Sequence, residues 1–287
     1  MAADTSVRRD EELAPGRRHW FGRPHWIALM IAAAVVAGAT ISFAIAWSHR
    51  GARQASIENA IEKFRKSHGA STSGFLRPAS GVYTFAGTGT EKLSLLSTTQ
   101  HWGPRIPVTV TEDTNSCWTF RVDYSTHHWQ SVRYCAKGRV LQETDETTYQ
   151  VFDFVAFKAG DTNNVVCSPP IDRVRVDSKP RARWNVACDG RSKSRNTKFR
   201  AAGTDTFIGI EKLRVGSELV PVYHYSVERT ITGSQTGHER YQMWYSVLDG
   251  LPVKTDRQVE VKSPSPIGDV TYVEKGSYAL TSLTPQR

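Results

Sequence analysis

The sequence predicts a mainly β (α+β) protein: a curved antiparallel half-barrel with one or two covering helices, preceded by a single transmembrane helix. Three observations lead there. An uncharged apolar run extends from Trp26 to Trp47. Beyond it, segments of alternating apolar and polar residues recur, separated by Gly, Pro and Asp-Gly turns. Helical periodicity in that region is confined to residues 55–68 and a second short candidate at Glu91–Gln100.

The run comes first. At 1.5 Å per residue, a helix of its length covers about 30 Å, the hydrocarbon thickness of a bilayer. A Trp stands at each end, where indoles favour the headgroup level. A cleaved signal peptide is the competing reading, since Ala44-Ile45-Ala46 imitates a cleavage site. Its apolar core would be roughly 7–15 residues, shorter than this run. The organisation expected is a disordered cytoplasmic tail over 1–25, a transmembrane helix over 26–47, a juxtamembrane helix and linker over 48–80, and an extracytoplasmic β-rich domain over 81–287. The tail is too short to bury a core, and it is charged. Orientation by positive charge is nearly balanced: Arg17, Arg18 and Arg23 before the span face Arg50 and Arg53 after it.

The cysteines decide the orientation. All four follow the span: Cys117, Cys135, Cys167 and Cys188. A hairpin folded about Ser125–His127 sets Cys117 opposite Cys135, and Cys167 and Cys188 flank a polar segment containing Pro169, Pro170 and Pro180. Four cysteines allow three pairings, so sequence does not prove the two local ones. Four free thiols are the alternative, and zinc is disfavoured because no Cys-x-x-Cys knuckle is present. Two disulfides imply an oxidising compartment, with the N-terminus cytoplasmic and the main domain outside.

Ile57, Ile61 and Phe64 form the apolar stripe of the juxtamembrane helix. Residues 68–80, rich in Gly and Ser, read as a linker. Strands are expected at 82–88, 106–112, 117–124, 129–135, 140–143, 149–157 and 184–188, then at 206–214, 219–231, 239–248, 251–262 and 270–283. The later turns have a chemical basis. Gly233 and Gly237 supply positive φ, Asp249-Gly250 is a hairpin signal, and Pro264 and Pro266 cannot extend a sheet.

Alternation gives the last strands two faces. Leu251, Val253, Val259 and Val261 share one, opposite Lys254, Asp256, Gln258 and Glu260. Such a face must be covered: the sheet curls on itself into a barrel or half-barrel, or it leaves an apolar cavity that a ligand fills, a packed core being the more common outcome. The candidate ligand-binding residues are therefore Tyr223, Tyr225, Val227, Trp244, Leu251, Val253, Tyr272 and Tyr278.

The string Glu211-Lys-Leu-Arg-Val-Gly-Ser, Val-Tyr-His-Tyr at 222–225, Trp244, Asp249-Gly-Leu-Pro-Val-Lys, Gly268-Asp-Val-Thr-Tyr and Leu283-Thr-Pro resembles the C-terminal half of LolA-like lipoprotein-carrier domains. It is also similar to uncharacterised single-span envelope proteins of actinobacteria. The resemblance covers about residues 205–285. It implies a curved half-barrel closed by helices and holding acyl chains or another apolar ligand. The transmembrane anchor and the two disulfides depart from that pattern.

No catalytic motif appears: no Gly-x-Ser-x-Gly elbow, phosphate-binding Gly-rich loop or His-Glu-x-x-His helix. No cofactor or metal is expected. His127 and His128 read as a solvated hairpin tip, and His224 as a strand histidine. The chain has 287 residues and a net charge of +9. Its dense basic stretch, Arg173, Arg175, Lys179, Arg181, Arg183, Arg191, Lys193, Arg195, Lys198 and Arg200, reads as a solvated loop first and a binding patch second. The partners expected are the membrane, a lipid or other apolar ligand, and an envelope protein. Nucleic acid is not expected, since no recognition motif is present. The leading functional expectation is a non-enzymatic, membrane-tethered domain that binds, presents or senses an apolar ligand. The alternative is a protein-interaction or assembly module of the envelope.

Overall fold

The computed structural model describes residues 52–69, 71–72, 74–95, 99–114, 116–153, 158–265 and 268–287. The predicted tail and span lie outside the described residues. Among the described residues, no helix is long and apolar enough to cross a membrane.

Among the described residues one helix, α1 (Ile57–Ser67), precedes the strands. Ser56 caps it, its hydroxyl accepting from the Asn59 N–H at 3.2 Å. Ile57, Ala60 and Phe64 bury their stripe on Val82.

Thirteen strands follow among the described residues: β1 (Gly81–Leu93), β2 (Gln100–Trp102), β3 (Arg105–Thr114), β4 (Cys117–Ser125), β5 (His128–Lys137), β6 (Val140–Asp153), β7 (Lys158–Arg175), β8 (Arg183–Ser192), β9 (Thr197–Val215), β10 (Glu218–Gly233), β11 (Thr236–Ser246), β12 (Pro252–Ser263) and β13 (Val270–Leu280). From β3 to β13 each strand pairs antiparallel with the next, and β1 pairs with both β3 and β13. The result is a closed antiparallel barrel of 12 strands, with the short β2 as an appendage beside β1.

Closure corrects the predicted half-barrel. The seam runs from Phe85 opposite Leu280 to Leu93 opposite Tyr272. It contains a glycine pair, Gly89 opposite Gly276, and the Trp102 indole lies against both. A Cβ added at either glycine would stand 1.9 Å from that ring, so no larger residue fits without displacing Trp102. The covering helices are corrected too. Only α1 exists among the described residues, and it packs on Val82 rather than over an open sheet. The segment expected to be a second helix, Glu91–Gln100, begins as the end of β1 and finishes as the start of β2.

Strand β7 was not expected. Its Pro169 and Pro170 belong to the segment expected as a polar loop, and Gly160, Asn163 and Asn164 are poor strand formers. Its ladder with β8 spans only Asn163–Cys167, so the prolines lie where no β8 partner requires their missing N–H. The segment 140–157, expected as two strands, is β6 up to Asp153; two register shifts toward β7 mark the irregularity that looked like a break. Both disulfides are present as expected, Cys117–Cys135 and Cys167–Cys188, each joining directly opposed residues of adjacent strands.

The interior is layered. A large aromatic cluster built around Phe85, Trp102, Trp118, Tyr134, Tyr225 and Tyr245 fills much of it. A smaller cluster of Ala201, Ile231, Val259 and Val261 fills another part. The predicted linker contributes a plug: Leu76 is fully buried, its carbonyl accepts from the Trp118 indole N–H at 3.2 Å, and it approaches Gly250.

Candidate functional site

The predicted apolar face is real but filled. Tyr223, Tyr225, Val227, Leu251, Val253 and Tyr278 are each at most 4% exposed. Tyr225 uses its hydroxyl to accept the Arg175 N–H at 3.3 Å. Tyr272 lies among polar groups, its hydroxyl donating to Glu274 at 2.7 Å. Trp244, 6% exposed and part of the same buried cluster, stands opposite His224 rather than in the Tyr223–Tyr225–Val227 series. It alternates with the inward Tyr245, stacks on His224 with ring centres 4.3 Å apart, and donates its indole N–H to Glu211 at 2.7 Å. Lys254 lies 4.1 Å above the same ring.

Between the apolar clusters the barrel wall carries buried charge. The Arg173 guanidinium is bound on two sides, Nε to Glu143 at 2.6 Å and Nη1 to Asp205 at 2.7 Å. Burial alone would push the Glu143 carboxyl up; the Arg173 charge outweighs it and holds the group below its ordinary value. Arg257 faces Glu274 at 2.8 Å and donates through Nη1 to the Tyr124 hydroxyl at 2.6 Å and to Gln130 at 2.9 Å. A third group lies close to the seam. His128 Nδ1 stands 2.9 Å from Glu91, both 1% exposed, and Gln150 donates to Glu91 and to the Tyr272 hydroxyl. Burial pushes Glu91 up, and His128 with these hydrogen bonds brings it below its ordinary value.

Two expectations are corrected here. His128 is buried against Glu91 instead of solvated, although the hairpin tip itself falls where expected, between Ser125 and His128. Arg173, read as part of a solvated basic loop, is an interior ion-pair partner. No group of three or more His, Cys, Asp or Glu side chains suited to a metal occurs among the described residues.

Strand parity carried a signal for the buried charges. Arg229 falls in the series 223, 225, 227, 229, 231, and Arg257 in the series 253, 255, 257, 259, 261, both otherwise inward. Charged residues in such series are interior groups that need partners.

The space left among these groups is small. A cavity of about 40 Å³ is lined by residues that include Phe120, Tyr134, Arg173, Arg229, Tyr241 and Arg257. That volume holds about one or two waters, whereas sites for small organic ligands span roughly 300–1,000 Å³. Arg229 is 6% exposed, and its Nε and Nη2 have no hydrogen-bond partner. Across the ladder it faces Glu239, whose carboxyl is pushed up by burial and only partly drawn back by Arg229.

The outer wall differs. The β8–β9 hairpin exposes Arg191, Lys193, Arg195 and Lys198. Ile208, Ile210 and Leu219 are 44%, 60% and 56% exposed.

No family model matches this chain. No curated protein matches it either. Among solved structures it is similar to the hypothetical lipoprotein YmcC from Escherichia coli (K12), at 15% identity and a TM-score of 0.29, over 67% of this chain and 86% of that one. That likeness is too distant to transfer a function, and the resemblance to lipoprotein carriers is limited to the sequence pattern.

Proposed function

We propose that this chain is a membrane-tethered envelope protein whose barrel works as a non-catalytic interaction or assembly module, through its outer wall. The observation that carries this reading is the filled interior. The residues expected to cradle an apolar ligand are packed on one another, and the cavity beside Arg173 and Arg229 is about 40 Å³. An acyl chain would have to displace packed aromatic rings, each contributing roughly 1.5–3 kcal/mol by its burial. The two disulfides support an oxidising compartment for the barrel, and the run from Trp26 to Trp47 supports a tether.

The experiment has two arms. Solvent extraction of the purified full chain followed by lipid mass spectrometry is expected to release no lipid at a stoichiometric level. Crosslinking in intact envelopes is expected to join outer-wall residues to a partner. One tightly held lipid per chain, released only on unfolding, would overturn the reading.

A further inference from the structure

We infer that the β8–β9 hairpin tip is a headgroup-binding surface that docks the barrel on the anionic lipid of its own membrane. This rests on the tether proposed above.

The hairpin is unusual in its charges. Between Gly190 and Phe199 it holds Arg191, Lys193, Arg195 and Lys198, and no acidic residue. All four are exposed. Arg191 stands directly opposite Lys198 in the ladder. Like charges directly opposed across two strands are destabilising, and an isolated fold gains nothing from keeping them together. The next opposed pair, Asp189 and Arg200, has the usual complementary arrangement and forms an ion pair at 2.9 Å. Nearby, Arg195 reaches Asp161 at 3.6 Å, and Arg191 hydrogen-bonds to the neutral Asn196. A multiply anionic surface relieves this repulsion.

Topology puts the tip at the correct end. Arg53 is fastened to the β4–β5 turn, its N–H donating to the Thr126 hydroxyl at 3.0 Å and its carbonyl accepting the Thr126 N–H at 2.8 Å. Since every strand is antiparallel to its neighbour, the β4–β5 and β8–β9 turns are at the same end of the barrel. Cross-strand contacts join them level by level: His127 to Val151, Val151 to Gly160, and Asp161 to Arg195. At about 4.8 Å per strand, the tip lies within roughly 20 Å of the fastened residue. The few residues between Trp47 and Arg53 extend no further than about 20 Å. On the proposed tether, the end of the barrel that fastens Arg53 is the one joined to the apolar run by the shortest stretch of chain. Lys and Arg side chains there gain from anionic lipid and are screened by salt.

The test uses the full chain in nanodiscs of phosphatidylcholine alone or mixed with phosphatidylglycerol. Lysine acylation is read by mass spectrometry, with the exposed Lys212 as the internal reference. Lys193 and Lys198 are expected to be labelled several-fold more slowly in the anionic discs, and the protection should vanish at high salt. Lys198→Glu, which gives Arg191 a complementary partner and leaves the barrel intact, should restore labelling of Lys193. Equal labelling in both lipids, with the chain still resistant to alkaline extraction, would overturn the docking and leave the tether standing. Release of the chain by alkaline extraction would overturn both.

Discussion

Arg173 and Arg229 line the same cavity and are almost equally buried, at 5% and 6% exposed, yet their circumstances are opposite. Arg173 is held by two carboxylates at hydrogen-bond distance. Arg229 leaves two guanidinium nitrogens without a partner, and the carboxyl facing it across the ladder, Glu239, is pushed toward its neutral form. Desolvating an ion is costly, and only a well-arranged partner repays it. The first arginine thus belongs to the fold's cohesion. The second is a buried charge whose removal should be tolerated.

The largest expected break of this comparison is Arg173→Ala, which strands Glu143 and Asp205 without a counter-charge. It should lower unfolding free energy by about 3–5 kcal/mol in urea titrations, the range for opening a buried ion pair. Next comes Gly276→Ala at the seam. The added methyl meets the Trp102 indole, and overpacking of this kind costs about 1–3 kcal/mol. Comparable in size is loss of the Cys117–Cys135 bridge, which closes a sequence separation of 18. A loop of that length is worth about 3 kcal/mol in the unfolded chain, measured as a lower urea midpoint for the double Cys→Ala variant. Arg229→Met should stay within about 1 kcal/mol of the parent, or exceed it in stability. A loss as large as that of Arg173→Ala would erase the distinction.

The pH dependence sharpens the same contrast with the smallest effects. Glu143 titrates below its ordinary value in the folded chain, so its contribution is complete above that value and disappears as pH falls through the lower folded value. Glu239 titrates above its ordinary value, so the folded chain holds its proton more tightly and stability declines as pH rises from the ordinary value to the raised one. Urea midpoints recorded from below the ordinary carboxylate value up to neutral pH should therefore respond to Glu143→Gln and Glu239→Gln with opposite signs.

How much of this was legible in the sequence depends on the strand. In β12 the alternation of Val253, Val259 and Val261 with Lys254, Gln258 and Glu260 assigned both faces correctly, because one face is wet and the other dry. The cysteine pairs were legible for the same local reason, a short hairpin that sets Cys117 opposite Cys135. In β7 the pattern failed, since Asn163, Asn164, Pro169 and Pro170 are poor strand formers held in place by neighbours distant in sequence. That strand supplies the link between β6 and β8 that closure needs, whereas the half-barrel was what the resemblance to lipoprotein carriers implied. The apolar residues of each inward series were noted and the charged ones in the same series, Arg229 and Arg257, were passed over. Trp244 shares a buried cluster with Tyr225, although the register sets it opposite His224 while Tyr225 faces Met243.

The central claim is that the ring is closed through the pairing of β1 with β13. Hydrogen exchange at the seam measures this directly, through the amides of residues 85–91 in β1 and 274–280 in β13. A closed ring predicts that they exchange as slowly as the amides of the β9–β10 ladder, only with global unfolding. Rapid exchange along both strands, with the rest of the sheet protected, would mean an open edge and would contradict the account.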